Sequence, residues 1–444
     1  MITDPLSVLY DISILAHGQI DVLARTGIYR TAENIAFALA ASDRIALEFC
    51  ACSSLEFNNY AQKYLAKTPQ LAHAAFATPP ETQTLERHMH DAVFAMSSRF
   101  GAMNFWTRVL RKITSMAFPR QSSNLPLFAP ESIERAQIYQ SPNIPIPAEI
   151  RRYPHLSCFL IIYDLIPILY PEYYGALAPK MRAWMEETLR SITPEDWVLC
   201  ISEATKRDLC AYRADLSPAR VIVTPLAASR DFYQVTDAER LRQVRAKYKI
   251  PDGPYVLSLS TLEPRKNIDH VIRAFVKLVQ EQHLTDLSLV LVGAKGWDSA
   301  RIFSAIDTSG GIIDRIIVTG YVEDADLPAL YSGALTFAYM SFYEGFGLPP
   351  LEAMQCGVPV ITSNTSSLPE VVGDTGVQLD PRDLDGLCQA IWSLYSDATL
   401  RQEQARRSLA RAQRFTWEQC AADIIDAYCL AAAEKCGGAK VGAR

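Results

Sequence analysis

The stretch Leu335–Gly357, LTFAYMSFYEGFGLPPLEAMQCG, decides how the rest of the chain is read. Its first residues, Leu335–Met340, form a short and nearly unbroken apolar run, as expected of a strand covered on both faces in a parallel sheet. A glycine turn follows. Pro349 and Pro350 then suit the first positions of a helix, where proline presets φ and gives up an amide that has no partner anyway. Gly357 ends that short helix, where a left-handed residue is usual. The amides around Gly345, Phe346, Gly347 and Leu348 therefore point out of a helix N-terminus, a natural seat for phosphate. Two carboxylates, Glu344 and Glu352, flank the turn. A carboxylate beside a phosphate would repel it, so both are expected to accept hydrogen bonds from neutral hydroxyls, such as those of a sugar and a ribose. A sugar joined to a nucleotide through a diphosphate is the simplest molecule that fits.

The same alternation extends to either side. Tyr255–Ser260, Leu287–Val292, Arg315–Thr319 and Val358–Thr362 are further strand candidates. Helical patterns separate them at Asn267–Gln280, after Trp297, at Asp326–Ser332 and at Pro350–Cys356. The unusual residues gather where the strands end: Glu263-Pro-Arg-Lys-Asn267, Gly293-Ala-Lys-Gly296, Gly320-Tyr-Val-Glu323 and Glu344–Glu352. Ligands of such sheets bind at the carboxyl ends of the strands. In the first half, Ser7–Ile14 reads as a strand, Thr26-Gly27-Ile28 as the turn into a helix over Tyr29–Ala41, and Ile45–Cys52 as a second strand. Cys158–Tyr163, Trp197–Ile201 and Arg220–Val223 look like later strands, whereas residues 53–150 show no order in their pattern. Pro225–Pro254 reads as a linker containing a helix. The expected fold is α/β. Its domains are residues 1–226 and 227–416, with a last helix over 417–436 and a frayed tail at 437–444.

Size and composition narrow the function. At 444 residues the chain exceeds what one core supports, so two domains are expected. Hydrophobic content of 49% and charged content of 21% are those of an ordinary globular protein. A net charge of −6 argues against nucleic acid as a partner. No apolar run approaches the length needed to span a bilayer, and Met-Ile-Thr-Asp-Pro-Leu lacks the basic and apolar regions of a signal peptide. Cys50, Cys52, Cys158, Cys200 and Cys210 lie within apolar patterns, and a Cys-x-Cys pair in a strand puts both thiols on one face. Reduced, structural cysteines in the cytoplasm are the expectation. His88-x-His90 has no partner at ligand spacing, so no metal is expected. Between residues 99 and 120, Arg99, Arg108, Arg111, Lys112 and Arg120 have no acidic counterpart and interleave with Phe105, Trp106, Leu110, Ile113, Met116 and Phe118. The favoured expectation there is a helix packed on the first domain with its charges in water. The other is a peripheral contact with the cytoplasmic face of the inner membrane.

With these blocks in place, the chain resembles the retaining glycosyltransferases of the nucleotide-sugar-dependent family four, which have the GT-B fold. The Glu-x7-Glu block, "STLEPRKN" and "GYVEDADLPALY" are similar to that family's donor domain, in the same order. "TGIYR", "YDLIPILYPEYY" and "ISEATKRDL" resemble its bacterial polysaccharide mannosyltransferase-like branch. The resemblance implies two Rossmann-like domains facing across a cleft, with a C-terminal helix crossing back to the first. It implies that Arg265 and Lys266 neutralise the donor diphosphate, which suits an arginine fork and a lysine point charge. Glu344 would hold hydroxyls of the transferred sugar, Glu352 the ribose, and Tyr321 and Val322 would flank the base. Gly27 and Arg30 would contact diphosphate or acceptor, and Asp164 would lie beside the acceptor or the donor sugar. Many relatives carry histidine where this chain has Tyr163, so an essential histidine base there is excluded, and His155 lies too early to replace it. The implied reaction is metal-independent, retaining sugar transfer with no cofactor beyond the nucleotide sugar. GDP-mannose is the favoured donor, and a lipid-linked saccharide or surface polysaccharide the acceptor. The rival expectations are a phosphorylase or polymer synthase of the same architecture, glycogen-synthase-like or trehalose-forming, and a scaffold that has lost turnover.

Overall fold

Two parallel sheets, each wound in both directions from its first strand, organise the chain. The structure is a computed structural model describing residues 5–21, 27–52, 55–78, 84–100, 104–118, 128–294, 296, 300–307 and 310–441. The first sheet comprises β1 (Leu6–Asp11), β2 (Ile45–Cys50), β3 (Ala75–Phe76), β4 (Ile138–Ser141), β5 (Ser157–Ile162), β6 (Trp197–Cys200) and β7 (Val221–Val223), in the order β3-β2-β1-β4-β5-β6-β7. The second comprises β8 (Tyr255–Leu259), β9 (Ser288–Val292), β10 (Ile316–Gly320), β11 (Thr336–Tyr339), β12 (Val360–Ser363) and β13 (Val377–Leu379), in the order β10-β9-β8-β11-β12-β13. β5 and β9 are buried at every position, which is why their sequences are apolar throughout rather than alternating. Register follows from packing: Phe159 stands opposite Trp197 with stacked rings, and Leu257 lies between Val290 and Phe337.

In both sheets the strand order reverses beside the first strand, between β1 and β4 and between β8 and β11. Connections leave these neighbours toward opposite faces and open a crevice at their carboxyl ends. That crevice is where the polar segments converge.

Helix Trp417–Val441 leaves the second sheet and packs on the first domain. Tyr428 donates to Gln140 at 2.6 Å and meets Phe159 edge-on, while Arg44 pairs with Asp426 at 2.6 Å. One apolar cluster thereby joins Tyr10 and Phe159 of the first sheet, Phe337 of the second and Ile424 of this helix.

Several boundaries differ from expectation. β1 stops at Asp11, and Ser13–Ile20 is helical, because the Asp11 carboxylate accepts the Ser13 amide at 2.7 Å and turns the chain. Residues 53–150 hold helices Leu55–Lys67, Leu85–Phe100, Phe105–Ala117 and Pro130–Arg135 as well as β3 and β4. The first three pack side by side through Tyr60 against Phe94, Asn59 on Asp91 and Arg111 on Glu56. The last helix ends at Val441, five residues past the expected 436. Thr26, Arg120, Lys295, Trp297 and 442–444 lie outside the described residues.

The described cysteines are free thiols. Cys50 and Cys52 do come together, 3.6 Å apart, but with a neighbour that their spacing does not announce: Asp11, whose carboxylate accepts from the Cys52 amide and from Tyr139. Burial pushes both thiols up, so they stay protonated. Among the described residues, no helix is long and apolar enough to cross a membrane.

Candidate active site

The segments after β8 and β11 form the floor of the second crevice. Past β8 the chain makes one tight helical turn, Pro264–Lys266, and enters helix Ile268–Glu281 through Asn267 at φ +56°. The Asn267 side chain donates to the carbonyls of Met340 (3.0 Å) and Pro381 (2.7 Å), tying this turn to the end of β11. Asparagine tolerates the left-handed conformation, which explains its place there.

Because β8 and β11 are neighbours, Lys266 and Glu344 meet although they are far apart in sequence. Lys266 Nζ lies 2.6 Å from one Glu344 oxygen and Arg265 lies 3.0 Å from the other. Tyr339 adds a phenol donor at 2.9 Å. Arg265 also pairs with Glu263 at 2.9 Å and donates to the Tyr343 carbonyl at 2.6 Å. Glu344 is buried, which alone would raise its pKa, but Arg265 and Lys266 outweigh burial and hold it at about 2. Burial depresses Lys266 in spite of the pull of Glu344, whereas Glu344 and Glu263 raise Arg265 against its burial. The resemblance assigns these cations and Glu344 to different parts of a ligand; in the structure they form one ion cluster.

Above the cluster runs the glycine turn. Gly347 has φ +127°, and a Cβ at Gly345 would collide with the carbonyl oxygen of Tyr163 in the first domain. Only glycine permits this approach between the domains. Ser366 accepts the Glu344 amide at 2.9 Å, and Ser367 donates to the carbonyls of Glu344 and Phe346. The turn is thus pinned from behind, while the amides of Gly345, Phe346, Gly347 and Leu348 find no acceptor among the described residues. Phe346 itself packs into the core against Phe415 and offers only backbone. Leu348 opens helix Leu348–Gln355.

Glu352 lies on that helix in a different setting. Tyr331 donates to it at 2.9 Å. Burial raises its pKa to about 7, against the smaller pulls of Tyr331 and Arg30. Arg30 reaches across from the first domain to Asp324 at 2.8 Å, both groups exposed. It therefore stands at the Glu352 end of the site. Val322 is buried and Tyr321 is 72% exposed. Gly27 begins helix Gly27–Ala40, with no atom of the described residues within 4 Å of the place of a Cβ.

Asp164 follows β5 on the opposite wall. One oxygen accepts the Ile166 amide at 2.9 Å, and burial raises its pKa although Arg265 and Lys266 pull it down. Beside it is a cavity of about 60 Å³ lined by Ile28, Asn143, Tyr163, Trp184 and Met185. The Tyr163 phenol is buried with no partner among the described residues, and His155 is exposed ahead of β5.

Pattern reading misses Tyr339 and Tyr331, the phenol on each glutamate, together with Glu263, Asp324, Ser366 and Ser367. It also misses the seam between the domains. Glu370 accepts the amides of Glu203 and Ala204 at 2.7 Å each, at the N-terminus of helix Glu203–Tyr212. Tyr343 donates to Asp208, and Thr205 bonds the carbonyls of both Tyr163 and Gly345. No local signal marks Glu370; the two tyrosines end or precede strands already recognisable as apolar.

The family described as "Glycosyl transferases group 1" matches residues 241–411, the stretch that carries both glutamates and both cations. The O-antigen chain mannosyltransferase B of Escherichia coli is 38% identical over 300 residues, covering 66% of this chain and 74% of that protein. This chain belongs to the group 1 glycosyl transferases. It is an enzyme of glycosyl transfer whose relatives are named as bacterial O-antigen mannosyltransferases. The serotype-specific mannosyltransferase WbdA of Escherichia coli is 31% identical over 269 residues, 60% of this chain but 33% of that protein, so the glycosyltransferase described here spans about a third of that relative. Sucrose-phosphate synthase from Thermosynechococcus elongatus superposes with a TM-score of 0.63, covering 96% of this chain and 98% of that one at 18% identity. The shared architecture is GT-B.

Proposed function

We propose that this glycosyltransferase transfers mannose from GDP-mannose, with retention and without a metal, to a hydroxyl of a lipid-linked or surface-polysaccharide acceptor. The observation that carries the reading is the pairing of two partly buried cations, Arg265 and Lys266, with four unengaged amides at Gly345–Leu348 on one wall of the cleft. Together they supply positive charge where a departing diphosphate gains negative charge. Glu344 holds the cations in place in the absence of donor. When donor is bound it accepts hydroxyls of the sugar, which a permanently ionised carboxylate does well. Glu352 takes the ribose, with Tyr321 and Val322 beside the base and Gly27 and Arg30 closing the site from the first domain.

Asp164 stands across the cleft from the ion cluster, in position to orient the acceptor or the donor sugar. No side chain in this reading serves as a covalent nucleophile. The acceptor hydroxyl attacks from the face the diphosphate leaves, and a departing phosphate oxygen takes its proton. Closure of the domains around both substrates aligns them and excludes the water that would hydrolyse the donor. The mannose and polysaccharide assignments rest on the relatives named above. A lipid-linked acceptor places the enzyme in the cytoplasm, at the inner face of the membrane.

The test is transfer from GDP-mannose, UDP-glucose, UDP-N-acetylglucosamine and ADP-glucose to a lipid-linked oligosaccharide, with the anomeric configuration of the product read by NMR. Transfer from GDP-mannose with an α product is expected. Transfer from a UDP- or ADP-sugar alone, or an inverted product, would overturn the reading.

A further inference from the structure

Helix Phe105–Ala117 is amphipathic in the inverted sense. With about 3.6 residues per turn, Phe105, Trp106, Val109, Ile113 and Met116 share one stripe. In a helix covering a core this stripe faces inward; here it faces out. Phe105 and Trp106 are each 67% exposed, Ile113 51% and Met116 71%. The face turned to the protein carries Thr107 and Thr114, both buried, and Arg111, which pairs with Glu56 at 2.6 Å. The helix is therefore anchored by its polar side. Asn104 caps it by accepting the Trp106 amide at 3.0 Å, so its start is well defined.

The surroundings extend the patch. Phe100, at the end of the preceding helix, is 59% exposed with Arg99 over its ring. Arg99, Arg108 and Lys112 are exposed and form no ion pair among the described residues. No aspartate or glutamate occurs between residues 99 and 120, in a chain of net charge −6. An apolar stripe fringed by unpaired cations calls for an occupant that is apolar below and anionic above. A second copy of this chain would set two cationic fringes against each other across a two-fold contact. A bilayer bearing anionic headgroups meets both demands: the rings and Met116 enter the acyl boundary and the cations reach lipid phosphates.

We propose that helix Phe105–Ala117, with Arg99 and Phe100, docks this glycosyltransferase on an anionic membrane surface, lying in the headgroup plane. The inference deepens the lipid-linked acceptor reading and rests on it for placing the enzyme beside a bilayer. It also reverses the favoured expectation from the sequence, of a helix with its apolar face on the first domain. The docked face belongs to the first domain, which also carries Asp164, and docking would bring that residue toward the lipid anchor of the acceptor.

The test is co-sedimentation of the full chain with vesicles of phosphatidylcholine, alone or mixed with phosphatidylglycerol, in the absence of donor and acceptor. Binding is expected only to the mixed vesicles and should weaken as salt is raised. Arg108→Gln with Lys112→Gln should weaken it about 25-fold, roughly fivefold per charge. Phe105→Ser with Trp106→Ser and Met116→Ser should abolish it. Donor hydrolysis, which needs neither lipid nor this helix, should be unchanged in both variants and shows that they are folded. Absence of vesicle binding by the unaltered chain would overturn the proposal. So would equal binding to both vesicles, or a dimer that the triple substitution dissolves. Vesicle binding without mannose transfer would leave the docking surface standing and remove the donor assignment instead.

Discussion

Glu344 and Glu352 stand on one short block of sequence and live under opposite electrostatics. Glu344 is gripped by Arg265 and Lys266 and held at about 2, so it is charged at any working pH. Glu352 meets one phenol, and burial lifts it to about 7. The residue type is the same; the difference comes from the neighbours. Glu344 leaves a strand end beside the point where the sheet reverses, so the turn after β8 brings cations to it. Glu352 faces helix Leu327–Ser332 and its Tyr331, with Arg30 only at longer range. One carboxylate is a fixed charge. The other is adjustable near neutrality.

The largest effect should come from breaking the first setting. Lys266→Ala is expected to lower kcat about 100- to 1,000-fold, as when a donor to developing charge is removed, and Glu344→Ala, which releases both cations and takes away the acceptor of the sugar hydroxyls, by a similar factor. Circular dichroism should show both folded. Glu352→Gln should mainly raise the donor KM. A fall in kcat as large as that of Lys266→Ala would erase the contrast between the two sites.

The second setting predicts a pH dependence. Ribose hydroxyls donate to a carboxylate, so binding must first remove the Glu352 proton. GDP binding, followed calorimetrically, should tighten up to about tenfold per unit as pH rises toward about 7 and level off above it. Glu352→Gln should flatten that profile. Stability runs the other way. Between the usual 4.5 and about 7 the folded chain keeps a proton that the unfolded chain has lost. The contribution is full below 4.5 and declines as pH rises through 7, by on the order of 3 kcal/mol.

Removing the phenols sharpens the comparison. Tyr339→Phe leaves Glu344 with two cations and should lower kcat about tenfold, since a hydrogen bond to a charged group contributes about 1.5 kcal/mol. Tyr331→Phe takes from Glu352 a partner that favours its charged form. The binding midpoint should therefore move upward by roughly half a pH unit or more. An equal shift from Tyr339→Phe would mean that the two sites are electrostatically joined. The smallest effect belongs to Tyr163→Phe. Its phenol is buried without a partner among the described residues, so turnover and melting temperature should stay near wild type; a large loss of turnover would reveal a role for that hydroxyl.

Much of this was legible before any coordinates. The central strands of the second domain are nearly unbroken apolar runs, so β8, β9 and β11 are found within a residue or two. The helix after the double proline and its end at Gly357 follow from backbone chemistry alone. β13 and the helices Leu384–Ser396 and Ala398–Ala412 escape notice, the strand because three half-buried residues leave too weak a pattern. Residues 53–150 escape for another reason. Their helices are joined partly by polar contacts such as Arg111 on Glu56 and Tyr60 on Ser97, and periodicity of apolar residues does not report those.

For the site, the sequence determined which groups are available: two glutamates, an Arg-Lys pair and a glycine turn opening a helix. These follow from local chemistry, in which proline, glycine and strand-end positions restrict the backbone. Which of those groups touch was decided only by the tertiary structure. Strand order puts Lys266 against Glu344, and domain docking puts Gly345 against Tyr163 and Arg30 against Asp324. Protonation was decided there too, because a carboxylate's pKa depends on burial and on charges within a few ångströms, and those come from elements distant in sequence. The direction faced by the stripe on helix Phe105–Ala117 belongs to the same class. Periodicity shows that a stripe exists; only the packing of Thr107, Arg111 and Thr114 against the domain turns it outward.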